Sequence, residues 1–148
     1  MARDYLLRLF EKVSEMLAGI LLEKRGGNDL GAQTEIEKAC LAQTGLPWAF
    51  VERSSPEALD ECLRKGANYH YRAILLAELL LQDADLKEAE SNAVAVVRDK
   101  LMAFYLIKKA YVVLSPEEKA VYQEKLDSLS RELRATSNDV YLENLMRG

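Results

Sequence analysis

The sequence predicts an all-α fold, an antiparallel array of helical hairpins with about six or seven helices. Three observations carry that prediction. Apolar residues recur at three- and four-residue spacing along nearly the whole chain of 148 residues. Glycine and proline sit between the periodic segments. The β-branched clusters, Val94 to Val97 and Val112-Val113, lie inside helical periodicity, so no strand is expected. A chain of this length can bury a core as a single domain, 1–148, without disulfides or metals.

The first hairpin is expected over 4–44. Its first helix runs from Asp4 to Arg25, with Leu6, Phe10, Val13, Leu17, Ile20 and Leu21 forming one apolar stripe. Asp4 is placed to cap it, and Gly26-Gly27 stop it. The stretch Gly27-Asn28-Asp29-Leu30-Gly31-Ala32 is then a turn leading into a second helix, Asp29 to Thr44. Ala32, Ile36 and Ala39 lie on its packing face, where small side chains allow close approach to the first helix. Gly45 and Pro47 end it.

Residues 45–54 read as an apolar loop carrying Leu46, Trp48, Phe50 and Val51. Ser54-Ser55-Pro56-Glu57 starts a short helix over 55–66, with a serine cap and proline in the first turn. Leu59 and Leu63 form its dry face. Asp60 with Arg64, and Glu61 with Lys65, are i,i+4 pairs on its wet face.

A second hairpin is expected over 68–114. Its first helix, 68–82, is apolar nearly all round from Ala73 to Leu81, the mark of a central helix. Asp83-Ala84-Asp85 reads as the turn. A helix over 86–114 would reach roughly 40 Å, long enough to invite a bend or break. C-terminal helices occupy 115–147. Ser115-Pro116-Glu117-Glu118 opens them with a capping box, followed by the stripe Tyr122, Leu126, Leu129 and Leu133. A polar break at Thr136-Ser137-Asn138 precedes a last short helix with Tyr141, Leu142 and Leu145.

Ala32, Ile36 and Ala39 overlay on Ala89, Ala93 and Val96, with Ala77 as the small residue of the preceding helix. This looks like a degenerate tetratricopeptide-type repeat. The overlay spacing of 57 residues exceeds the usual period of about 34, so an inserted helix is implied. The amino-terminal Arg3-Asp4-Tyr5-Leu6, Arg8 and Phe10-Glu11, with the helix–Gly–helix unit ending in Ala39 and the stretch Ser54 to Leu63, resembles a family of small bacterial proteins without an assigned activity. The resemblance covers about the first two thirds of the chain. It implies an all-helical, tetratricopeptide-repeat-like (TPR-like) fold in a bacterial cytoplasm, and it brings no catalytic residues.

Composition narrows the function classes. Apolar residues make up 49% and charged residues 30%, which is globular. A net charge of −4 argues against nucleic acid or an anionic membrane surface as partner. Charges interrupt the amino end, so no leader is expected, and the longest apolar run is too short to cross a membrane. Cys40 and Cys62 lack metal or redox spacing and read as free thiols of a cytoplasmic protein.

His70 is the sole histidine, so no His-rich metal site is expected, and no cofactor motif is visible. Glu35 with Glu37, Glu88 with Glu90, and Glu117 with Glu118 read as solvated faces and helix-start charges. The residues best suited to a partner-binding surface are Trp48 and Phe50 of the apolar loop, the cluster Tyr69, His70 and Arg72, and Arg98, Tyr105 and Lys108. The sequence therefore points to a non-enzymatic interaction or scaffold module that binds a protein or peptide between hairpins. A homodimer is the runner-up, and a small-molecule pocket around His70 comes third.

Overall fold

The computed structural model describes residues 2–136, with side chains from residue 8 onward. Among the described residues it contains seven α-helices: α1 (Ala2–Arg25), α2 (Asp29–Thr44), α3 (Trp48–Arg53), α4 (Pro56–Arg64), α5 (Tyr69–Ala89), α6 (Ala93–Tyr111) and α7 (Pro116–Thr136). No strand occurs among those residues. The expected all-α array is therefore the observed fold. The final short helix, with Tyr141, Leu142 and Leu145, falls outside the described residues. None of the described helices is long and apolar enough to cross a membrane.

α5 is the centre, as its all-round apolarity predicted. Every residue from Ala73 to Leu80 is buried. α1 and α2 pack against it as an antiparallel pair, α6 forms its main partner, and α4 bridges α5 and α6. α7 lies on α6 and reaches α5 through side chains. Ala32, Ile36, Cys40 and Thr44 form the buried row of α2, and Leu9, Val13 and Ile20 that of α1. Ala39 is only partly buried and borders that row.

Several helix ends follow local chemistry. Ser55 Oγ accepts from the Ala58 amide at 3.1 Å, with Pro56 opening α4. Before α7, the Glu118 amide donates to Ser115 Oγ at 3.2 Å. The Ser115 amide returns a bond to Glu118 Oε1 at 2.9 Å. This is the expected capping box, but Glu118 is buried rather than on a solvated face. α1 begins at Ala2, ahead of the cap expected at Asp4.

Four expectations are corrected. Residues 48–53 are helical, not a loop, because Trp48 and Val51 turn together into the core. Asp83-Ala84-Asp85 is not a turn, and α5 continues through it to Ala89. One local pair and one tertiary pair hold those aspartates in the helix: Lys87 of α5 itself pairs with Asp83, and Lys24 of α1 with Asp85, each at 3.3 Å. The helix expected over 86–114 is consequently two pieces, broken at Glu90-Ser91-Asn92. The overlay of Ala32 on Ala89 also fails, since Ala89 ends α5 and Ala93 opens α6. The turn that matches Gly26-Gly27-Asn28 is Glu90-Ser91-Asn92, 64 residues later.

Candidate functional site

The residues singled out from sequence divide among distinct environments. Tyr69, at the start of α5, reaches α4, where its hydroxyl donates to Asp60. Arg64 Nε donates to the other Asp60 oxygen at 2.8 Å, and the guanidinium carbon lies 4.2 Å from the Tyr69 ring centre. Burial and the neighbouring Asp60 raise the phenol's pKa well above its ordinary value. Asp60 is thus buried, not on a wet face as expected. Its second partner lies nine positions away, beyond the reach of an i,i+4 rule. Tyr105 on α6 adds to the same electrostatic neighbourhood.

Arg72 is a structural clamp. It donates to the Thr44 carbonyl at 2.6 Å and to the Leu63 carbonyl at 3.1 Å, with a longer bond to Ala67 at 3.5 Å. Helices end with unpaired carbonyls, so one cation closes α2 and α4 together. A Cβ at Gly66 would overlap this guanidinium and push it off its carbonyls. His70 is half-buried and meets Tyr71 edge-on, at 6.2 Å between ring centres.

Trp48 is 4% exposed and belongs to the core, whereas Phe50 two residues on is 40% exposed. Arg98 extends from α6 to the Glu52 carbonyl of α3 at 3.4 Å. The Lys108 ammonium lies 5.8 Å from the Phe104 ring centre. Tyr69 and Tyr105 therefore share one neighbourhood, while Trp48 is sequestered and Arg72 is engaged with backbone.

Two buried acidic sites were not anticipated. Asp83 and Asp99 face each other between α5 and α6 at 0% and 1% exposure. Burial, a hydrogen bond from one carboxyl to the other and the nearby Asp83 charge push the Asp99 carboxyl up to about 9. Lys87 at 3.3 Å from Asp83, with Gln33 accepting from the same ammonium at 3.4 Å, and Arg98 at 3.6 Å from Asp99 partly oppose that rise. With a second carboxyl against it in the interior, Asp99 holds its proton well above the ordinary carboxylate range. Asp99 occupies a core position, four residues after buried Ala95 and four before buried Ala103. That spacing was the available sequence signal.

The second site is Glu78, buried in the apolar run of α5. It accepts from Tyr122 at 3.0 Å and from Lys125 at 2.9 Å, tying α7 to the centre. Burial and the Glu78 charge raise the Tyr122 phenol's pKa. Burial likewise pushes the Cys40 thiol up to about 11, leaving it protonated and unreactive at neutral pH. Among the described residues no cluster of three or more His, Cys, Asp or Glu could hold a metal ion.

A spacious concavity lies elsewhere. A trough of about 820 Å³ runs between the α5–α6 turn and the end of α7. Ala93, Val96, Val97 and Ala135 give it an apolar lining, and Asp85, Glu88, Lys100 and Glu132 line it with charge. A smaller hollow of about 210 Å³ extends it along α7 past Leu129 and shares Asp85, Lys100 and Glu132. Lys100 reaches across from α6 to Glu132 at 2.6 Å. A concave site of this size and mixed lining suits a side-chain-bearing segment of a ligand. No family model, curated protein or solved structure matches the chain.

Proposed function

We propose that this chain is a non-enzymatic, TPR-like helical scaffold of the bacterial cytoplasm, and that it binds a protein or peptide segment in the α5–α6–α7 trough. The single observation supporting this reading is the trough itself, with its Val96 and Val97 wall beside three carboxylates and one lysine. Glu132 already pairs with Lys100 and Asp85 with Lys24, leaving Glu88 as the acidic surplus. The segment that fits carries an aliphatic side chain next to lysine or arginine.

Tagged protein captured from its native cell, with retained proteins quantified by mass spectrometry, tests this reading. A Val96→Glu/Glu88→Lys variant runs beside the wild type, with melting checked for both. A protein held by the wild type and lost from the folded variant supports the trough. Equal retention by both sends the search to the Tyr69–Tyr105 side. A homo-oligomeric bundle is the second reading, favoured by the exposed leucines of α1.

A further inference from the structure

α1 is more apolar than its packing requires. Its main neighbours among the described residues are α2 and α5, which cover Leu9, Val13 and Ile20. A second stripe, turned away from that row, is left open: Leu22 is 69% exposed, Leu21 is 37% exposed, and Ala18 is exposed between them. A shallow cleft of about 450 Å³ follows this stripe, lined by Ser14, Leu17, Ala18, Leu21, Leu22 and Arg25. The outermost helix of an array ordinarily turns a polar face to water, because uncovered apolar surface causes association.

The charges at the two ends of that face are self-complementary. Glu11, Ser14, Ala18, Leu21 and Arg25 follow one another at three, four, three and four residues, the spacing of a two-helix seam. Two copies of α1 laid antiparallel about Ala18 bring Glu11 of each onto Arg25 of the other. They also bring Ser14 opposite Leu22, and the small Ala18 side chains to the axis, where close approach is needed. A parallel arrangement instead sets Glu11 on Glu11 and Arg25 on Arg25. Glu11 and Arg25 are both exposed, and neither carries an ion pair among the described residues.

We infer that α1 is a homodimerisation surface, in which a second copy of this chain packs antiparallel across a two-fold axis at Ala18. The contact is isologous and closes on itself, so it gives a dimer and not a filament. Four helical turns cover less than the roughly 800 Å² per partner of a standard interface, so association belongs in the micromolar range. The inference is independent of the trough, which lies on α5, α6 and α7.

Sedimentation equilibrium of the full chain from about 1 to about 200 µM spans the relevant affinities. The wild type is expected to pass from monomer to dimer across that range. Ala18→Glu places like charges at the axis and is expected to stay monomeric throughout, with unchanged helicity and melting. Glu11→Arg is expected to weaken dimerisation about tenfold, and adding Arg25→Glu to restore it to within about threefold. A wild type that remains monomeric at the highest concentration overturns the inference. So does a dimer that survives Ala18→Glu, or a double exchange no better than the single one.

Discussion

The hairpins α1–α2 and α5–α6 turn their corners in the same way yet bury different chemistry. In the first, the Asn28 amide bonds to the Glu23 carbonyl and the Gly27 amide to Lys24; in the second, Asn92 bonds to Lys87 and Ser91 to Glu88. Asn28 and Asn92 then cap the next helix through the amides of Gly31 and Ala95, at 2.9 and 3.2 Å. Gly27 and Ser91 both adopt positive φ, +74° and +59°. The local code for a helix stop, a left-handed residue and an asparagine cap is thus used twice. Beyond the turn the two hairpins diverge. The peripheral one buries a single row per helix and leaves α1 with an open apolar stripe. The central one is enclosed on several sides and buries even an acid pair, Asp83 with Asp99.

The largest effect is expected where the two hairpins are joined. Arg72→Met removes the cation that α5 supplies to the carbonyls closing α2 and α4; the Leu63 carbonyl keeps the Gly66 amide, while the Thr44 carbonyl loses this donor. A loss of about 3 kcal/mol is expected in urea unfolding. Arg72→Lys should recover less than half, because an ammonium lacks the fork that reaches two carbonyls.

The acid pair gives the central hairpin a pH dependence of its own. Burial holds the Asp99 carboxyl above its ordinary value of 3.8, so protonation favours the folded state. Its contribution is complete below that value and is lost as the pH rises through about 9. Wild-type stability should therefore fall between pH 5 and pH 9, and Asp99→Asn should flatten the decline. Denaturation midpoints at a series of pH values decide the matter; an equally steep variant would show that the Asp99 proton does not carry the decline.

The two caps compare the hairpins directly. Asn28→Ala and Asn92→Ala remove the same bond and should each cost about 1 kcal/mol. Hydrogen exchange should differ, with lost protection confined to α2 in the first case and spread over α5 and α6 in the second. The smallest effect belongs to the turns. Ser91→Gly relieves a left-handed serine and should raise stability by about 0.5 kcal/mol, whereas Gly27→Ser should lower it, both read from thermal melts.

Much of the fold is legible without the structure because its signals are local. The capping box at Ser115, the cap at Ser55 and the all-round apolarity of α5 each involve residues within a turn or two of one another. The candidate site was less legible. By its type Arg72 reads as a binding residue, yet its partners are backbone carbonyls as far away as Thr44, which leave no mark on side-chain patterns. Asp60 looked solvated because its i,i+4 partner was visible, while Tyr69 was not. The trough depends on how α7 lies against α6, and its lining residues are unremarkable in any one helix.

By itself, the sequence determined that this chain is helical, where most helices start, and that α5 is central. Those outcomes follow from propensity, caps and periodicity, which act between neighbours along the chain. Only the tertiary structure decided that α5 runs through Asp83 and Asp85 and that Trp48 belongs to a helix in the core. It also decided that two aspartates face each other in the interior and that one side of α1 stays open. Each of those depends on which surfaces distant segments present to one another, because burial and charge pairing are set by neighbours in space.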